Sequence, residues 1–149
     1  MKILLAVDGS AYSEEAVESL AERPWPQGTT VRVVMAVEDV IPFATAFWYG
    51  PKGSLEHAQH QITERAEQVC ARAVELLRRR GIKTEIVVRE GDPRSLILNE
   101  AKSWPADLIV IGAHGHTGVE RELLGTVAEA VIAHASCSVE VVREQSAKG

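Results

Sequence analysis

The sequence predicts an α/β protein: a doubly wound, open, mostly parallel sheet with helices on both faces. Three observations carry this. Five short runs rich in β-branched and apolar residues alternate with four stretches of helical periodicity, which is the pattern of βαβ units. The first and fourth runs, residues 2–7 and 108–111, are almost continuously apolar, as strands covered on both faces must be. Right-handed crossovers between such strands then distribute the helices over both faces.

Taken in order, the first strand, residues 2–7, ends at Asp8-Gly9-Ser10. A helix over residues 11–22 follows, with Ser10 as its N-cap, Glu14 and Glu15 in its first turns, and Ala16, Val17, Leu20 and Ala21 on one face. Pro24-Trp25-Pro26-Gln27-Gly28 breaks it, and a second strand over residues 30–37 leads to Glu38 and Asp39. Residues 40–53 have no clear period but hold Phe43, Phe47, Trp48 and Tyr49 between Pro42 and Pro51. Such a segment suits a lid, a dimer contact or a loop folded onto its own domain, the last being favoured.

A long helix over residues 54–80 places Leu55, Ala58, Ile62, Ala66, Val69, Ala73 and Leu77 at spacings of three and four, and Gly81 stops it. The third strand covers residues 83–89. Gly91-Asp92-Pro93 then starts a helix, with Asp92 as N-cap and Pro93 in the first turn, where its missing N–H costs nothing. That helix ends near Trp104-Pro105. The fourth strand, a glycine-rich loop, a helix over residues 126–134 and a last strand over residues 139–143 complete one domain, residues 1–143, followed by a polar tail, residues 144–149.

Bulk properties narrow the function. A chain of 149 residues is long enough for one self-sufficient core. A net charge of −5, with Arg78-Arg79-Arg80 as its one basic cluster at a helix end, argues against nucleic acid as a partner. No apolar run approaches the ~20 residues of a membrane span, and the N-terminus enters a strand with no n-region or h-region, so a cytoplasmic protein is expected. Cys70, on an apolar helical stripe, and Cys137, before the last strand, suit buried free thiols in a reducing compartment.

The loop from residue 112 to 126 is the most informative stretch. Strand-to-helix connections usually take about 2 to 6 residues, and longer ones tend to be functional. Its glycines allow a ligand close to main-chain N–H groups, and Gly125-Thr126 stands where the next helix begins, where orphan amides and the helix dipole favour an anion. The alternative is an ordinary glycine-rich loop with a Thr N-cap. Neither a Walker A string nor Gly-x-Gly-x-x-Gly is present. His114 and His116, and His57 and His60 on the long helix, invite a metal, but each pair lacks a third nearby ligand, so no metal site is expected.

The spacing Gly112-x2-Gly115-x9-Gly125-Thr126 resembles the nucleotide-binding signature of the universal stress protein family. Further matches run in the family's order: residues 2–10, Gly91-Asp92-Pro93, residues 107–112 and residues 135–142. The resemblance therefore spans essentially the whole chain.

It implies an adenine nucleotide α-hydrolase-like sheet of order 3-2-1-4-5, which sets the ends of strands one and four side by side. It also implies an ATP-binding (or other adenine-nucleotide-binding) stress-response protein, with Mg²⁺ accompanying the phosphates. By position, Asp8 contacts the nucleoside and a main-chain group at Val37 meets the adenine. Gly112 opens the loop, and the amides of Gly115, Gly125, Thr126 and Val127 face the phosphates, with the Thr126 hydroxyl adding a bond. Asp8 has an alternative role as a helix cap.

The family commonly dimerises through the last strand, so a homodimer that signals to an unidentified protein partner is implied. Two alternatives stay open: a slow ATPase or autokinase assisted by Asp8 or Glu38, and a dimeric adaptor that needs no nucleotide. One departure is Ser138, where the family often has Pro, which would add an N–H at the start of the last strand.

Overall fold

The computed structural model describes residues 1–37, 52–115 and 124–143. Five strands and four helices alternate along it: β1 (Lys2–Ala6), α1 (Ala11–Glu22), β2 (Thr30–Val37), α2 (Lys52–Arg79), β3 (Lys83–Glu90), α3 (Pro93–Ser103), β4 (Leu108–Gly112), α4 (Thr126–His134) and β5 (Ser138–Val142). All neighbouring strands are parallel, and their order is β3-β2-β1-β4-β5. The chain thus winds outward from β1 in one direction, returns, and winds outward in the other. The reversal lies between β1 and β4, where Ala6 is level with Ile111.

Side-chain alternation along the strands divides the core in two. Ile3, Leu5, Val31, Val33 and Val110 point to one face, where they meet Leu20 of α1 and Cys70 and Leu77 of α2. Leu4, Ala6, Val34, Ile109 and Ile111 point to the other, against Ile97 of α3 and Val131 of α4. Fully buried aliphatic side chains of this size each contribute about 1.5–3 kcal/mol relative to exposure, so the central strands dominate the stability of the sheet.

Local chemistry sets the element ends. Ser10 caps α1, its Oγ accepting from the Ser13 N–H at 3.2 Å, and Asp92 caps α3 in the same way through Ser95 at 3.3 Å. Gly81, at φ +77°, takes the left-handed conformation that ends α2. The last strand begins one residue earlier than its apolar run suggests. Ser138 is level with Leu108 in the ladder, so its N–H belongs to a pairing strand rather than to a loose end.

Arg32 interrupts the apolar run of β2 and points to the second face. It stacks at 4.5 Å on the Trp104 ring and bonds to Glu85 at 2.8 Å and to Glu100 at 3.1 Å. Glu100 is only 8 % exposed and also faces Arg89 at 3.6 Å, so two guanidinium groups compensate a buried carboxylate. On the first face, the Arg23 guanidinium at the end of α1 holds Glu140 of β5 with two hydrogen bonds. Among the described residues no helix is long and apolar enough to cross a membrane.

Candidate functional site

In doubly wound sheets a crevice opens beyond the carboxyl ends of the strands at the reversal of strand order. Here it is a cavity of about 270 Å³. All seven residues expected from sequence, Asp8, Val37, Gly112, Gly115, Gly125, Thr126 and Val127, line it. They come from four separate places in the chain, and the pairing of β1 with β2 on one side and with β4 on the other brings them together.

The turn after β1 is held by its own polar groups. Asp8 Oδ1 accepts from the Ser10 N–H at 2.9 Å, while the Asp8 N–H donates to Ser13 Oγ at 3.2 Å. Gly9, at φ +82°, makes the bend between them. Ser10 takes the capping role, and Asp8 instead faces the glycine loop: a Cβ on Gly115 would lie 2.8 Å from Asp8 Oδ2.

Each glycine of the signature has its own reason to be glycine. A Cβ at Gly112 would stand 2.8 Å from the backbone carbonyl carbon of Tyr12, so β4 needs this residue to pack under the first turn of α1. At Gly125 a Cβ would meet the Ala113 carbonyl and the His114 Cα at 3.2 Å. The Gly125 N–H donates to that same carbonyl at 2.8 Å, folding the two ends of the loop together. This corrects one expectation: the Gly125 amide is committed inside the protein and does not face the cavity as a donor. Gly125 shapes the crevice by closing the loop.

Three helices begin beside the cavity, and they differ. Side chains cap α1 and α3, but Gly125 caps α4 with no side-chain hydrogen bond. The first helical bond of α4 runs from Glu129 to the Gly125 carbonyl, leaving the Thr126, Val127 and Ala128 N–H groups as the orphan donors of its first turn. Thr126 is the first helical residue rather than the cap, and it is exposed. The dipole of α4 adds partial positive charge at the same place.

The wall opposite comes from β2 and the start of α3: Ala36, Val37, Gly91, Pro93 and Ile97. The Val37 carbonyl accepts from the Gly91 N–H at 3.0 Å, so this residue turns its main chain toward β3. Val34, by contrast, accepts from the Val7 N–H at 3.0 Å and faces β1. Main-chain direction alternates along a parallel strand. Ala36 therefore shares the orientation of Val34, past the end of β1 and toward the crevice.

His114 is 6 % exposed, lies edge-on to the Tyr12 ring at 4.8 Å between centroids, and its Nδ1 has no hydrogen-bond partner among the described residues. Sequence reasoning also missed Ser13 and Ala36. A serine inside an apolar helical face, as Ser13 is, was the available signal; nothing in the sequence distinguishes Ala36. Among the described residues no group of three His, Cys, Asp or Glu side chains could hold a metal. His116, Glu38 and residues 40–51 of the aromatic segment lie outside the described residues.

The model of the universal stress protein family matches residues 1–143. The chain belongs to the universal stress protein family. Universal stress protein MJ0531 of Methanocaldococcus jannaschii is 34 % identical over 143 residues, covering 96 % of this chain and 82 % of its own. Among solved structures of the same fold, hypothetical protein MJ0577 superposes with a TM-score of 0.84 at 24 % identity, covering 98 % of this chain and 97 % of its own. A universal stress protein family protein from Arabidopsis thaliana, crystallised with AMP bound, gives 0.64 at 18 % identity, covering 98 % and 93 %.

Proposed function

We propose that the crevice binds ATP, or another adenine nucleotide, and that the chain acts as a nucleotide-responsive regulatory homodimer. The observation that carries this is the uncapped N-terminus of α4. Of three helix starts around one cavity, the two that need no ligand are plugged by Ser10 and Asp92, and the third, at Thr126, Val127 and Ala128, has no side-chain cap among the described residues. A phosphate there replaces the missing cap. The AMP bound to the Arabidopsis relative supports an adenine nucleotide as the class of ligand.

The chain's residues fit such a group. Gly115 keeps the floor free of a Cβ beside Asp8, whose carboxylate would accept from ribose hydroxyls. The main chain at Ala36 offers donor and acceptor to an adenine edge, and Val37, Ile97 and Ile111 supply apolar surface for the ring. Thr126 adds a hydroxyl at the first turn of α4. A divalent cation, Mg²⁺ in a cell, would be held by the phosphates themselves, since no group of three ligating side chains occurs among the described residues.

Protein stripped of small molecules and titrated calorimetrically with ATP, with and without magnesium, is expected to bind one nucleotide per chain. Gly125→Val, whose branched side chain would fill the gap beside Ala113 and His114, is expected to abolish it. Equal, unsaturable heats from both proteins would refute the proposal. Mass spectrometry of molecules released from the freshly purified protein then identifies the nucleotide.

A further inference from the structure

Ser13 is a polar residue in an apolar place. It lies on the buried face of α1 with Ala16, Val17 and Leu20, and is itself 5 % exposed. A serine near a helix start commonly caps that helix or bonds to a carbonyl of the preceding turn. Here the cap is Ser10, and Ser13 Oγ reaches back past it, five residues along the chain, to accept from the Asp8 N–H at 3.2 Å.

That bond closes a circuit of three residues. The Asp8 N–H donates to Ser13 Oγ, the Ser13 N–H to Ser10 Oγ at 3.2 Å, and the Ser10 N–H to Asp8 Oδ1 at 2.9 Å. Each residue gives one main-chain donor and takes another with its side chain. Asp8 is thus held twice, its main chain by Ser13 and one carboxylate oxygen by Ser10. With Oδ1 turned to the start of α1, Oδ2 is directed to the glycine loop, 2.8 Å from where a Cβ on Gly115 would stand. One residue earlier, the Val7 N–H still bonds across the sheet to Val34 at 3.0 Å. Asp8 therefore sits where the chain leaves the ladder, and Ser13 supplies the acceptor that its main chain needs there.

We infer that Ser13 is a positioning residue of the crevice: its hydroxyl fixes the main chain at Asp8 and so keeps Oδ2 directed at the ribose hydroxyls of the ligand. This role rests on the crevice being a nucleotide site. Capping of α1 does not call for the hydroxyl, because the bond to Ser10 uses the main chain of Ser13, which any residue but proline supplies. The hold on Asp8 does call for it.

The test is a cycle of variants and ligands, read by calorimetry on the full chain. ATP and its dideoxy analogue, which lacks both ribose hydroxyls, are titrated into the wild type, Ser13→Ala, Asp8→Ala and the double variant. Ser13→Ala is expected to weaken ATP binding roughly fivefold to tenfold and to leave the weaker binding of the analogue unchanged. In the Asp8→Ala background, Ser13→Ala is expected to change neither. Ser13→Thr keeps the hydroxyl, and its methyl has room, since residue 13 lies between the crevice and a second cavity of about 210 Å³ between α1 and α2. It is expected to restore the affinity for ATP, and thermal unfolding confirms that each variant folds. Equal losses for both ligands would make Ser13 a merely stabilising residue or a phosphate contact, and a further loss in the Asp8→Ala background would make it a ligand contact of its own. Either outcome, or no loss at all, overturns the role. A wild type that binds neither ligand overturns the nucleotide site itself, and this role with it.

Discussion

Gly112 and Gly115 belong to one signature but carry different burdens, and single-methyl substitutions separate them. At Gly112 the added Cβ would strike the Tyr12 backbone at 2.8 Å, and neither strand nor helix can give way cheaply. Gly112→Ala is therefore expected to lower stability by about 1–3 kcal/mol in urea unfolding. At Gly115 the Cβ meets only the end of the Asp8 side chain, which can rotate. Gly115→Ala is expected to unfold within about 0.5 kcal/mol of the wild type while losing roughly tenfold or more in nucleotide affinity, because Asp8 is displaced. Loss of stability without loss of affinity at Gly115 would contradict its place beside Asp8. Cys70 makes the other residue-scale case. It is fully buried, and burial, with the Glu67 carboxylate adding to it, raises its thiol from 9.0 to about 11. The native thiol then stays protonated while the unfolded one ionises, so stability falls as pH rises from about 9 to about 11, by on the order of 2 kcal/mol in total. Cys70→Ala is expected to flatten this slope in denaturation curves taken across that range. Cys137, only half-buried, is also raised, by partial burial and then by the Asp107 carboxylate.

At the scale of elements, the helix starts separate structural capping from ligand capping. Ser10→Ala removes a cap that the protein uses for itself and is expected to cost about 1 kcal/mol of stability in thermal unfolding, with or without nucleotide. Thr126→Val removes only an exposed hydroxyl on the first residue of α4. It is expected to leave the apo protein's melting temperature nearly unchanged and to weaken ATP binding by about 0.5–1.5 kcal/mol. Elements with such end signals were legible in the sequence: Ser10 and Glu22 bound α1, Asp92-Pro93 starts α3, and Thr126 to His134 spans α4, all where the pattern puts them. The lining of the crevice was legible too, since glycine spacing and the β1 terminus name residues that share one cavity. Their individual tasks were not. The Gly125 N–H turns inward and the Val37 carbonyl serves Gly91, because such details depend on main-chain orientation across strands that are distant in sequence. Arg32 was equally hidden, its ring and carboxylate partners lying between 53 and 72 positions away along the chain.

For the whole molecule, the strand order decides which edges are left open. No local pattern encodes that order, and here the family resemblance supplied what hydrophobic periodicity lacks. With β3 and β5 at the margins, the two edges differ in chemistry. β3 carries Lys83, Glu85, Arg89 and Glu90, charges that discourage another strand from pairing. β5 is short and largely apolar, and its valines are only half-buried in the single chain. The Val142 carbonyl accepts from the Ala113 N–H at 2.8 Å, so Val142, Glu140 and Ser138 turn their main chains toward β4. Val139 and Val141 then present theirs to the outside. If β5 is the homodimer contact, Val141→Pro removes an outward donor and clashes with an approaching strand, while every bond to β4 is kept, since proline is tolerated on an edge whose N–H faces outward. Sedimentation is expected to show wild-type protein as a dimer and Val141→Pro as a folded monomer with its circular dichroism preserved. Val141→Thr keeps the donor and is expected to remain dimeric. A Val141→Pro protein that stays dimeric would move the interface away from this strand and leave β5 as a covered edge.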